Sequence, residues 1–369
     1  MVTRRAHAAT AAPLAGGRAR RVTRAWMDLS ELSPASFAMI MATGILSIGL
    51  QQHGLVLPAH ALFGLNVLAW IVLWILTILR LLRHTRYLVE DLVDHSRGPG
   101  FFTAVAGTAV LGCQLILLAG EFRLAMLLWV TSIVLWVGLT YTIFTAFTIK
   151  ENKPTLDKGI TGGWLLAVVA TQSLAVLSAL VAARFAQPWK LELNFFALSM
   201  WLWGGMLYIW MMSLIFYRYM FFNFSPSDLA PPYWINMGAM AISTLAGSLL
   251  IANAPDAPFL SSLLPFLKGF TVLYWATGTW WIPMLLVLAA WRYMYKRFPL
   301  RYDPLYWGAV FPLGMYAVGT REMSRALGLS FLDWLAPLFL GIAAMAWTAA
   351  FVGLLRKLLS YLRAVGTPQ

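Results

Sequence analysis

Ten stretches of nearly continuous apolar residues, separated by short polar turns, organise the chain. They fall near 33–50, 60–82, 99–119, 124–149, 159–183, 193–217, 232–252, 264–291, 302–320 and 333–355. About 20 residues rising about 1.5 Å each cross the roughly 30 Å hydrocarbon core of a bilayer, so each stretch predicts one transmembrane helix. Gln51-Gln52-His53-Gly54, Asn152-Lys153-Pro154 and Asn253-Ala254-Pro255-Asp256 mark turns between them. A β-barrel would show strands of about 10 residues with alternating polarity. These runs are too long and too uniformly apolar for that, and the expected fold class is an all-α polytopic membrane protein of ten helices.

The runs are of two kinds. Odd-numbered runs hold small and hydroxyl residues and mostly begin at Pro or Gly, as in Ser33-Pro34-Ala35-Ser36, Gly98-Pro99-Gly100 and Pro231-Pro232. Even-numbered runs are richer in Leu and Trp, including Trp70, Trp74, Trp129, Trp136, Trp201, Trp275 and Trp281. Small residues let backbones approach or leave room along a cavity, while bulky apolar ones suit lipid. Helical spacing draws a stripe on each odd run. These are Ser36-Ile40-Thr43-Ser47, Thr103-Gly107-Val110-Gln114, Trp164-Val168-Thr171-Ser178, Asn236-Met240-Ser243-Gly247 and Trp307-Phe311-Gly314-Val318. Any one stripe is explained by helix packing; recurrence in alternate runs points to a shared central lining. The expected pore lining is Ser36, Thr43, Ser47, Thr103, Gly107, Thr171, Asn236, Ser243, Gly247, Gly314 and Val318. No charged residue or histidine lies mid-way along an odd run, whereas proton-coupled pumps usually carry such a relay. Weak contacts suit fast passage, so the pattern points to a channel or facilitator for anions.

Composition narrows the class. Of 369 residues 60% are hydrophobic and 11% charged, with mean hydropathy +0.73; soluble domains carry about 25% charged residues. An ordinary soluble enzyme is excluded, and the single cysteine, Cys113, excludes a disulfide scaffold or a zinc-finger site. If the N-terminus is cytoplasmic, 21 of the 27 Lys and Arg fall on the cytoplasmic side and 6 opposite. The positive-inside rule then puts both termini in the cytoplasm of a multi-pass protein of the cell inner (plasma) membrane. The net charge of +13 reads as this topology signal plus attraction to anionic membrane lipids, with no nucleic-acid partner. Residues 1–24 hold six Arg and no acid. Without an apolar core they form no secretory signal peptide; an organelle transit peptide shares this composition, but a disordered basic tail over 1–29 is preferred. The transport domain is expected over 30–355, and a short tail over 356–369.

Three polar groups attract attention. Glu90, Asp91, Asp94 and His95 offer metal-type donors, though neutralisation of Arg83, Arg86 and Arg97 explains them better. His53 and His60 are poorly spaced for a metal pair. Arg321, Glu322 and Arg325 close the ninth run, as attractors of anions or as interfacial anchors. No metal site, cofactor or phosphate loop of the GxxxxGK[ST] type is expected.

Five segments resemble the tellurite-resistance/dicarboxylate transporter family: SPASFAMIMATGILSIG (33–49), DHSRGPGFFTAVAGTAVLG (94–112), KPTLDKGITGGWLLAVVATQS (153–173), PPYWINMGAMAISTLAG (231–247) and YWGAVFPLGMYAVGT (306–320). That family includes bacterial tellurite-resistance protein A, yeast malate permease, yeast sulfite efflux pumps and plant slow-type anion channels. The resemblance implies five helical hairpins with quasi-five-fold symmetry, an inner ring forming the pore, and often a homotrimer. It also implies a pore-plugging phenylalanine, matching Phe311, and substrates that are small inorganic anions or C4-dicarboxylates such as malate. Mid-membrane proline kinks are a family feature; here Pro312 alone is central to an odd run. Two rivals stand beside this reading. A proton-coupled carrier with inverted repeats predicts interrupted first and sixth helices, with Gly204-Gly205 as a candidate break. A metal-dependent intramembrane enzyme would use residues 90–95.

Overall fold

A computed structural model describes residues 29–299 and 302–366, with side chains through Ser360. The long helices are α1 (Ala38–Gln52), α2 (Val56–Arg83), α3 (Phe102–Gln114), α4 (Phe122–Ile149) and α5 (Leu166–Ala182). They continue with α6 (Trp189–Phe221), α7 (Ile235–Asn253), α8 (Leu264–Ala290), α9 (Trp307–Leu327) and α10 (Leu335–Gly366). Among the described residues, nine of these, taken with their flanking turns, are long and apolar enough to cross a bilayer. The exception is α9, whose last turns carry Arg321, Glu322 and Arg325. The expected basic tail lies outside the described residues except for Leu29, while 356–366 continue α10 as helix.

Burial sorts the helices into two shells. In α1, α3, α5 and α7, 67–94% of the most apolar stretch is buried; in α2, α4, α8 and α10 the share is 11–22%. The outer helix α6 stands between, at 50%. The inner helices close a ring: α1 packs on α3, α3 on α5, α5 on α7, α7 on α9, and α9 back on α1. Each is joined in a hairpin to an outer helix, and each outer helix also touches the next inner one. Outer helices present Leu68, Ile75, Val134, Ile209, Val287 and Met345 outward, an apolar belt that only lipid tails solvate well.

All five inner helices start alike. Tight 3₁₀ turns precede them: Pro34–Phe37, Gly98–Phe101, Gly162–Leu165, Pro231–Trp234 and Pro304–Tyr306. Proline near the first position costs no hydrogen bond there, because that amide has no helical partner in any case. Ser33, Thr161 and Asp303 occupy the same place before their turns, and each side chain accepts a backbone amide, of Ala35, Gly163 and Leu305 at 3.3, 3.2 and 2.8 Å. Gly162 is required by a close approach: a Cβ there would lie 2.8 Å from the Pro232 carbonyl oxygen.

Candidate functional site

The ring encloses two cavities, one at each end. At the N-terminal ends a vestibule of about 480 Å³ is lined from all five starts, including Ser33, Gly100, Gly163, Pro232 and Pro304. Its charged lining is Glu31, Asp228 and Asp303 with Arg97, so carboxylates outnumber cations there despite the basic excess of the sequence. Arg97 is tied to Asp91 at 2.7 Å, and Asp228 lies 3.3 Å from Arg218. Burial works against the charged form of Asp228, but the Ser225 hydroxyl and amide and Arg218 hold its carboxyl below the ordinary value.

Toward the C-terminal ends lies a smaller cavity of about 110 Å³, lined by three residues from each inner helix, with Leu117 in the π-helical turn Leu115–Ala119 that continues α3. They are Ile45, Ile48 and Gln52; Val110, Cys113 and Leu117; Ser173, Val176 and Leu180; Ile242, Leu245 and Leu249; Met315, Val318 and Glu322. Every helix contributes in the same three-then-four spacing, which is one face of an α-helix. Ile45, Val110, Ser173, Ile242 and Met315 each follow by eleven residues a Pro or Gly at the start of the preceding turn: Pro34, Pro99 (second in its turn), Gly162, Pro231 and Pro304. Carried one turn back toward the N-termini, this line reaches Met41, Ala106, Val169, Gly238 and Phe311. Phe311 is 1% exposed, between the two cavities in sequence register.

Of the residues expected to line a pore, Val318 borders the cavity. The others make contacts elsewhere. Thr43 accepts the Trp347 indole N–H at 3.0 Å, and Thr171 that of Trp136 at 2.8 Å. Ser47 donates to the Ala59 carbonyl of α2 at 2.8 Å, and Asn236 to the Tyr219 hydroxyl of α6 at 3.1 Å. The Ser243 carbonyl accepts from Trp201 at 2.8 Å while its hydroxyl bonds within α7. Ser36 donates to the Ser33 carbonyl, and Thr103 to those of Gly100 and Pro34. Gly107 faces Ile40 and the Phe37 carbonyl, and Gly247 backs onto Thr271 of α8. A Cβ at Gly314 would lie 2.9 Å from Ile45 Cγ2 and 3.8 Å from Ala343. Small and hydroxyl residues therefore serve mainly the joints between helices.

Those joints recur around the ring. Besides Trp347 and Trp136, Trp70 donates to Thr108 at 3.1 Å and Trp275 to Thr320 at 3.0 Å. With Trp201 on Ser243, every outer helix sends an indole N–H to the next inner helix. Thr43, Thr108 and Thr171 each sit two residues before the cavity line, about 200° around the helix and so on its far side. An alignment of the five runs on their leading Pro or Gly would have separated these two faces; a search for polar stripes could not.

The remaining polar groups are engaged locally. Asp91 pairs with Arg80 at 2.6 Å, and Glu90 with Arg86 at 2.8 Å. Asp94 accepts from Ser96 and from the Arg97 amide. Burial opposes its ionisation, but these bonds hold its carboxyl below the ordinary value. His95 stacks on Phe147, ring centres 4.2 Å apart, and burial with Lys150 nearby pushes its imidazole below its usual value. Among the described residues, no three such side chains converge as a metal site. Gly204 and Gly205 lie within an unbroken α6, packed against Gln172 and Tyr274. That is close packing rather than the helix break an inverted-repeat carrier needs.

Residues 31–355 match the SLAC1 family, described as voltage-dependent anion channels. The chain belongs to that family. It is 25% identical over 332 residues to an uncharacterized transporter of Methanocaldococcus jannaschii, covering 88% of this chain and 94% of that one. It is 25% identical over 350 residues to a sulfite efflux pump of Trichophyton rubrum, covering 88% and 90%. An uncharacterized membrane protein of Mycobacterium tuberculosis is 38% identical over 152 residues, 41% of this chain and 77% of that protein. Membership in a SLAC1 family of channels and transporters makes this a multi-pass membrane protein of anion transport.

Proposed function

We propose that five of ten membrane-crossing helices, arranged with quasi-five-fold symmetry, enclose an anion conduit closed by the Phe311 ring. The shared register carries this reading: five parallel helices bring matching positions to one axis, with an open space on each side of the Phe311 level. The wall near that level is apolar, so a passing anion is weakly held and must displace an aromatic ring. Small anions are the favoured cargo. Sulfite comes first, because sulfite efflux pumps match over nearly the whole chain; C4-dicarboxylates such as malate come second, and a link to tellurite resistance rests on family resemblance. The bulk of Lys and Arg on one side supports cytoplasmic termini in an inner membrane, and a homotrimer of independent conduits is the proposed assembly.

The test is reconstitution in liposomes with chloride, nitrate, sulfite, malate and succinate, with and without a pH gradient. Phe311→Ala is expected to raise anion flux about tenfold or more, the effect of removing about 1.4 kcal/mol of barrier. Flux equal to that of the unmodified protein overturns the gate, and absence of any anion flux overturns the conduit.

A further inference from the structure

The cavity wall near the C-terminal ends carries one ionisable carboxylate among thirteen apolar or thiol and hydroxyl residues and one amide. At the last position of the shared register stand Gln52, Leu117, Leu180, Leu249 and Glu322. Gln52 Nε2 donates to Glu322 Oε1 at 2.8 Å, which fixes the carboxylate against α1 while it borders the lumen. Its side chain is 23% exposed. The neighbouring cations do not line the cavity. Arg321 is held by the Gln52 carbonyl at 2.8 Å and by His53 Nε2 at 3.2 Å, and Arg325 stands 3.8 Å from Glu322 on a side chain 58% exposed.

We infer that Glu322 is the charge filter of this conduit, admitting singly charged anions and retarding multiply charged ones. This deepens the proposed function and rests on it: sulfite passes as the singly charged hydrogensulfite, and the malate dianion passes slowly. Repulsion between a fixed carboxylate and a passing anion scales with the anion's charge, and low-dielectric walls weaken screening. A divalent anion therefore meets twice the barrier of a monovalent one at the same depth. The lining holds no cation at that level, since the ion-pair partner Arg325 stands 3.8 Å from the carboxylate on a largely exposed side chain outside it, and Gln52 Nε2 donates to Glu322.

The experiment compares nitrate and sulfate flux in proteoliposomes at one pH and ionic strength. Glu322→Gln is expected to raise the sulfate-to-nitrate ratio about tenfold. Leu180→Glu, which adds a second carboxylate on the same ring from α5, a helix not adjacent to α9, is expected to lower it by a similar factor. Glu322→Asp, which keeps the charge, should leave the ratio within about threefold of the unmodified protein. Opposite shifts cannot come from a general loss of fold, and Leu180→Glu carries the test if Glu322→Gln does not assemble. An unchanged ratio in both charge-altering variants, with nitrate still conducted, overturns the filter and leaves the conduit standing. Failure of the unmodified protein to conduct nitrate or sulfate overturns the conduit itself.

Discussion

The two faces of the inner helices divide the chemistry in an unexpected way. The face toward the axis is built mainly from Ile, Val, Leu and Met, with Cys113 and Ser173 among them and Gln52 and Glu322 at its end. The face toward the outer shell holds Thr43, Thr108, Thr171 and Thr320, each accepting an indole N–H. Inside a bilayer no water satisfies a stray donor, so tryptophan N–H groups that enter the protein need acceptors at the helix joints. Interhelical hydrogen bonds there contribute about 0.6 to 2 kcal/mol each. Hydroxyls thus serve cohesion, and in the proposed conduit an apolar lumen would keep permeant ions from being trapped. The lesson is that polarity along a membrane helix does not by itself identify the side that faces cargo.

Substitutions that respect one face and disturb the other sharpen this contrast. The largest expected effect is at the axis: Val318→Phe fills the small cavity and should cut anion flux about tenfold or more. Its thermal unfolding temperature should change little, since there is space to accept the ring; unaltered flux would break the assignment of this face. Thr171→Val acts on the outward face, leaving the buried Trp136 N–H without its acceptor. It is expected to cost about 1 to 2 kcal/mol of stability, read by thermal or denaturant unfolding in detergent, with the ratio of nitrate to sulfate flux unaltered. A smaller loss, about 0.6 kcal/mol, is expected for Trp347→Phe. Here the donor disappears while most of the aromatic bulk stays, and the Thr43 hydroxyl can turn to a carbonyl of its own helix.

Particular residues show where sequence reading reached and where it stopped. The apolar runs announced the helices to within a few residues because about 20 apolar residues have one stable arrangement in a bilayer. At the C-terminal end α10 runs on as helix through 356–366, beyond the last apolar run. The division into inner and outer helices was also legible, from glycine and hydroxyl residues in one set and tryptophan in the other. What escaped was rotation about each helix axis. Gly314 and Val318 share a stripe in sequence, yet Gly314 meets α1 and α10 while Val318 borders the lumen. Glu322 was visible only as part of a charged helix end, and its place in the cavity wall depends on the end of α1 standing beside it.

Sequence alone determined that this chain crosses a membrane repeatedly, which helices are inner, and where each inner helix begins. These follow from local hydrophobicity and from proline and capping chemistry, which act within a few residues. The tertiary structure decided which face of each inner helix looks inward, because that is set by ring closure and by where the indole donors of neighbouring helices find acceptors. Those partners lie as far apart in sequence as Thr43 and Trp347, and no local pattern encodes them.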